Sequence, residues 1–123
     1  MQTADIVQDA GVDLTELFAR VEYDRELLQD VVQIFAEEFP KLHHMLKDAM
    51  LRGDGKQIQT SAHTLKGMLA SLSFGKASAS AMRIERMARH SDLQGIPEEV
   101  ARLEQDTTFA QAHLEKACAQ VVW

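Results

Sequence analysis

The residue types best suited to group-transfer chemistry lie together in one short segment, Ser61–Gly67. It contains His63, with Lys66 three residues and Gly67 four residues further on. A neutral imidazole is a nucleophile at physiological pH, and an ammonium group can stabilise the negative charge of phosphoryl oxygens. Glycine in a helix interior is less favourable than alanine by about 1 kcal/mol, which is easier to understand if another molecule must approach closely there. The segment is therefore a candidate phosphoryl acceptor site.

Helical periodicity places His63 on the outer side of its helix. At about 100° per residue, the apolar side chains of this segment form one stripe, which comprises Ile58, Ala62, Leu65, Leu69 and Leu72. His63 points away from that stripe, with Lys66 and Gly67 beside it. We predict a partner-binding surface that includes Phe74 in the following turn and four residues near His63, namely Lys56, Gln59, Thr60 and Ala70.

A carboxylate on the next helix is a candidate partner for the histidine. If the turn between the two helices centres near Phe74, His63 lies eleven residues before it and Glu85 eleven residues after it. In an antiparallel pair these two residues lie at the same height, so Glu85 could accept a hydrogen bond from Nδ1 of His63 and leave Nε2 free to react. The alternative is an ordinary surface pair between Glu85 and Arg89, four residues later on the same helix.

Five segments of the chain have helical patterns, and none has the period-2 alternation of a strand. A short first helix opens at Asp13, and four longer helices are predicted over about residues 24–51, 56–72, 76–89 and from 97 to near the end. Pro40 lies inside the second helix and should kink or split it. The pattern predicts an all-α fold, an antiparallel four-helix bundle with a short additional N-terminal helix. We expect residues 1–11 to be a flexible segment and residues 12–123 to form the domain.

Composition excludes several classes of function. The 123 residues are 46% hydrophobic and carry a formal net charge of −6, which fits one globular domain and argues against nucleic-acid binding through a broad basic face. The single cysteine, Cys118, precludes an internal disulfide and indicates a reducing compartment. No apolar run reaches the ~18–20 residues of a membrane span, and no leader is apparent, so we predict a cytoplasmic location. Zinc-ligand spacing, nucleotide-binding loops and Asp-rich magnesium clusters are absent, so no metal site and no cofactor are predicted.

The run His63-Thr64-Leu65-Lys66-Gly67 resembles the H-x-x-K-G signature of histidine-containing phosphotransfer (HPt) domains. The resemblance covers about residues 12–120, in the number and spacing of helices, in the Phe39-Pro40 step of the long helix and in the Gly-Asp turn before the motif helix. One position departs from the family pattern. HPt domains usually have glycine ten residues after the histidine, where this chain has Ser73.

The resemblance implies that His63 is phosphorylated on Nε2 and that Lys66 and Gly67 assist phosphate binding and partner access. Glu85 matches a histidine-bonding carboxylate in the chemotaxis-kinase branch of the family. The implied function is that of a phosphoryl carrier, not an enzyme, which exchanges the group with aspartates of response-regulator receiver domains in two-component signal transduction. The implied source of the phosphoryl group is a histidine kinase or hybrid kinase, and the chain is either freestanding or part of such a kinase. Magnesium is expected on the receiver domain. The alternative is a helical-bundle interaction module without phosphoryl chemistry.

Overall fold

The computed structural model describes residues 12–123, and within them the chain forms helices and turns without a strand. The five helices are α1 (Thr15–Arg20), α2 (Arg25–Arg52), α3 (Gly55–Ser71), α4 (Gly75–Arg89) and α5 (Ile96–Gln120). The predicted all-α helical bundle with a short first helix is confirmed. The expectation of a flexible segment at residues 1–11 lies outside the described residues.

Local sequence signals set the turn between α2 and α3. The helix α2 ends at Gly53, whose φ of 66° is in the left-handed region that glycine adopts at little cost. Asp54 follows and caps α3 by accepting a hydrogen bond from the backbone N–H of Gln57 at 3.1 Å. Because two residues separate the helices, α3 must run back along α2.

The long helix α2 passes through Pro40 without a break. Of the two outcomes predicted for this proline, a split is excluded, since residues Arg25–Arg52 form one helix. Proline removes the hydrogen bond that its N–H would donate to the carbonyl of Ala36. Both residues are exposed, so water can satisfy that carbonyl. Exposure therefore explains why the helix tolerates the proline.

The start of α1 differs slightly from the prediction. The sequence predicts that the first helix opens at Asp13, but the N-cap residue is Leu14, which provides no side-chain cap. The carboxylate of Asp13 instead accepts a hydrogen bond from the backbone N–H of Thr15 at 2.9 Å. Leu14 has its side chain fully buried. The burial of an apolar residue thus takes precedence over a side-chain cap at this position.

The hairpin of α3 and α4 is the part of the bundle that positions the candidate site. The predicted apolar stripe of the α3 segment is buried, and so is a stripe on α4. The buried residues are Ile58, Ala62, Leu65, Leu69 and Leu72 from the α3 segment and Ala77, Ala81, Ile84 and Ala88 from α4. Alanine at the α4 positions lets that helix pack closely on its neighbours. The hydroxyl of Ser78 also donates to the backbone carbonyl of Lys66 at 3.0 Å, which links the two helices directly.

Candidate functional site

His63 stands on the outer face of α3, with its side chain 67% exposed. Its Nδ1 lies 2.6 Å from Oε2 of Glu85 on α4. An ionised carboxylate only accepts hydrogen bonds, so Nδ1 is assigned the proton, and the neutral ring then carries its lone pair on Nε2. Within residues 12–123, no hydrogen-bond partner contacts Nε2. The imidazole is therefore largely exposed and is held at Nδ1, while Nε2 keeps its lone pair.

Glu85 is the buried centre of this group of polar side chains. Its side chain is 6% exposed, and its second oxygen, Oε1, accepts a hydrogen bond from Nζ of Lys66 at 2.8 Å. The guanidinium of Arg89 is more distant, at 4.0 Å. The hydrogen bond from Lys66 lowers the pKa of Glu85, burial raises it, and the hydrogen bond from His63 lowers it further, so that the pKa ends below its usual value. The carboxylate is consequently ionised at neutral pH.

The turn between α3 and α4 brings His63 and Glu85 to the same height. Ser73, at the position where the HPt resemblance would place glycine, adopts a φ of 64°. The N–H of Ser73 donates a hydrogen bond to the carbonyl of Ala70, and the N–H of Phe74 donates one to the carbonyl of Leu69. These two hydrogen bonds end α3. Serine thus takes the left-handed conformation that glycine would adopt more easily. Serine in place of glycine therefore does not shift the turn, and His63 and Glu85, each eleven residues from Phe74, still lie at the same height.

Lys66 and Gly67 lie beside His63, but in different ways. The ammonium group of Lys66 is bound to Glu85 and is about one-third exposed, so it is already partly neutralised. Gly67 is exposed, and a Cβ atom added to it would meet no atom within 4 Å. No packing within the described chain therefore requires glycine at this position.

A shallow open depression of about 490 Å³ surrounds the imidazole. It is lined by Lys56, Gln59, Thr60, His63, Thr64, Lys66, Glu85 and Arg89. Three of the predicted partner-binding residues, at positions 56, 59 and 60, are in this lining. Ala70 is exposed but lies further along α3, outside the depression. From the sequence, Arg89 was expected only as an alternative partner for Glu85, although its spacing of four residues from Glu85 already placed it on the same side of α4.

The prediction that Phe74 contacts a partner is wrong. Its side chain is 1% exposed and packs edge-on against Phe35 of α2, with ring centroids 5.6 Å apart. Phe74 is the N-cap residue of α4, where the chain turns back over the core, and its large ring fills space between the hairpin and α2. Phe74 is therefore close to His63 in the sequence, but its side chain belongs to the hydrophobic core.

A second histidine also pairs with a carboxylate, on another side of the bundle. Nε2 of His43 on α2 lies 2.6 Å from Glu104 on α5, and Nζ of Lys47 lies 3.2 Å from the same carboxylate. Burial raises the pKa of Glu104, but hydrogen bonds from these two residues outweigh it and hold the pKa below its usual value. The His43 ring also stacks on Phe39, with centroids 5.4 Å apart. Because its side chain is only 26% exposed and Nε2 is occupied, His43 is less suited to accept a group than His63.

Metal binding finds no support in the described part of the chain, where no group of three or more potential ligands is present. Between residues 12 and 123, no helix is both long and apolar enough to cross a membrane.

A family model described as Hpt domain matches residues 30–121. Comparisons with curated proteins and with solved structures gave no significant match.

Proposed function

The chain belongs to the Hpt domain family, and on this basis we propose that His63 is the residue that accepts and donates the phosphoryl group. Domains of this family are phosphoryl carriers in phosphorelays rather than catalysts. The observation that carries the assignment is the environment of one imidazole. His63 is exposed, its Nδ1 is held 2.6 Å from a buried carboxylate, and its Nε2 has no hydrogen-bond partner within residues 12–123.

The proposed reaction is an in-line transfer from an aspartyl phosphate of a receiver domain. The lone pair of Nε2 attacks phosphorus, an N–P bond forms, and the acyl P–O bond breaks with release of the aspartate carboxylate. The proton on Nδ1 stays in place, so the ring gains positive charge, which Glu85 stabilises at 2.6 Å. Transfer to a second receiver aspartate is the reverse of these steps.

Cations around His63 would stabilise the phosphoryl oxygens. Lys56, Lys66 and Arg89 line the depression, and the latter two share Glu85. An incoming dianionic group would offer Lys66 a second acceptor next to the one it already has. Phosphoryl transfer depends mainly on positioning and electrostatics, and we expect the receiver domain to supply the magnesium ion, with no cofactor on this chain.

The surface around His63 is suited to a docked protein domain. Gly67 has no side chain and Ala70 has only a methyl group, so a partner can approach the backbone of α3 closely. Gln59 and Thr60 offer polar contacts on the other side of the histidine. We propose that response-regulator receiver domains occupy this surface, that a histidine kinase or hybrid kinase is the original phosphoryl source, and that the relay operates in the cytoplasm.

Replacing the histidine tests the proposal directly. The variant His63→Gln should fold as the wild type does, because the side chain is exposed, yet accept no radiolabel from receiver domains phosphorylated with a small-molecule donor. The variant His43→Gln is the matched control, since it removes the other histidine that pairs with a carboxylate, and it should label normally. Labelling of His63→Gln at the wild-type rate would refute the assignment. A wild-type chain that binds receivers but never labels would indicate an interaction module instead.

A further inference from the structure

Positive charge is concentrated in the α3–α4 hairpin, although the chain as a whole is acidic. Residues 55–89 contain one acidic residue, Glu85, and six basic ones, Lys56, Lys66, Lys76, Arg83, Arg86 and Arg89. The formal charge of this segment is +5, whereas the rest of the chain carries −11, which gives the total of −6. Charge is therefore distributed unevenly along the chain, and the helix that bears His63 belongs to its basic segment.

The ion pairs show which of these cations lie near His63 along the bundle. Glu85 is level with His63, to which it is bonded, so Arg86 and Arg89 lie within about 6 Å of that level at 1.5 Å per residue. Lys56 is seven residues before His63, or about 10 Å along α3. These separations are comparable to the screening length of about 10 Å at 0.1 M salt. Along the bundle axis, these charges therefore lie within about one screening length of the imidazole.

Three of the six cations have no carboxylate within 4.0 Å in residues 12–123, and two of these, Lys56 and Arg86, lie closest to the level of His63. The third, Lys76, lies near the start of α4. Glu85 offsets Lys66 and Arg89, and Glu99 of α5 pairs with Arg83 at 3.1 Å. Arg86 and Lys56 are exposed, and no carboxylate within residues 12–123 lies within 4.0 Å of either. Arg86 is also absent from the lining of the depression around His63. It can therefore act on an approaching partner without touching the phosphoryl group.

We propose that the α3–α4 face steers an acidic protein surface onto His63, and that Arg86 contributes to the rate of encounter without taking part in the transfer. This inference rests on the proposed function, since the partner is then a protein that carries a negatively charged aspartyl phosphate. The acidic remainder of the chain repels the same partner, so the field also selects its orientation. A nucleic acid fits the surface less well, because its extended phosphate backbone would meet that acidic remainder.

Transfer kinetics at several salt concentrations test the inference. With a receiver domain of the source organism, phosphorylated by acetyl phosphate, kcat/KM for labelling His63 should fall about tenfold between about 50 mM and about 500 mM salt. Arg86→Glu should lower kcat/KM about three- to fivefold at low salt, match the wild type at high salt and leave the rate at saturation unchanged. Arg86→Gln should show about half of the effect on a logarithmic scale, since it removes one charge instead of two.

Lys116→Glu is the matched control, because it makes the same change of charge on an exposed helical position. The ion pair between Arg83 and Glu99 places Glu99 near the level of His63 along the bundle. Lys116 is seventeen residues after Glu99 on α5, so it lies about 25 Å from that level. A salt-independent kcat/KM, or equal effects of Arg86→Glu and Lys116→Glu, would overturn the inference and leave the proposed function intact. Binding of a labelled DNA or RNA duplex that Arg86→Glu abolishes would also overturn it. Absence of any label on His63 would overturn the proposed function and this inference together.

Discussion

The substitution Glu85→Gln removes one buried negative charge while keeping the shape of the side chain. In the native chain the carboxylate accepts from both Nδ1 of His63 and Nζ of Lys66, through its two oxygens. A glutamine amide has one acceptor oxygen and one donor group. Whichever way the amide turns, one of the two neighbouring donors faces another donor. We therefore expect both the orientation of His63 and its stabilisation by charge to suffer.

The expected magnitudes follow from the contacts and the exposure of the partners. A hydrogen bond to a charged group contributes about 1.5–3 kcal/mol, which corresponds to roughly a 10- to 100-fold slower transfer if it is fully needed in the transition state. The loss of stability should be smaller than the ~3–5 kcal/mol typical of a sealed ion pair. Lys66 is 32% and Arg89 53% exposed, so both can turn to water. We expect the free energy of unfolding to fall by about 1–2 kcal/mol.

Rapid-quench measurement of labelling at saturating receiver concentration gives the rate, and urea denaturation gives the stability. Glu99→Gln is the matched control. Its carboxylate is as buried as that of Glu85, at 5% exposure, and pairs with Arg83 at 3.1 Å and Arg102 at 3.3 Å, but it contacts neither His63 nor Lys66. This variant should lose comparable stability and keep its rate of phosphoryl transfer.

Equal transfer rates in the two variants would contradict an orienting role for Glu85. In that case Glu85 would contribute to the fold as Glu99 does, and the 2.6 Å contact with His63 would have no consequence for the reaction. A slow rate in Glu85→Gln with unchanged stability would support an orienting role even more directly.

Two further predictions concern pH and the glycine beside the histidine. The pKa of Glu85 is lowered, chiefly by Lys66, so the stability that its carboxylate contributes is present above the unfolded-state pKa of about 4.3 and is lost as the pH falls through the folded-state pKa. Urea midpoints measured between about pH 6 and about pH 3 should therefore fall less steeply for Glu85→Gln than for the wild type. Parallel curves for the two proteins would contradict this. Gly67→Ala should raise the free energy of unfolding by about 1 kcal/mol, because a Cβ atom there meets nothing within 4 Å. Gly67→Leu should fold as well yet slow transfer from a phosphorylated receiver, and an unchanged rate would show that no partner approaches closely at this position.

Much of the fold and part of the site could be read from local sequence. The predicted third helix, residues 56–72, is observed at Gly55–Ser71, because the apolar stripe and the Asp54 cap are features of consecutive residues. The exposure of His63 followed from the same periodicity. The proximity of His63 to Glu85 could be predicted by counting residues from the turn. In two antiparallel helices joined by a short turn, residues equally far from the turn in sequence lie at the same height.

Tertiary structure decided the contacts whose partners are remote in sequence or whose direction a turn controls. Periodicity could not show that Phe74 turns inward onto Phe35, because a residue between two helices has no assigned face. It could not pair His43 with Glu104, which requires the relative placement of α2 and α5. It also left open that the ammonium group of Lys66 would be bound to Glu85, because a long flexible side chain is positioned by the charges that packing brings within its reach.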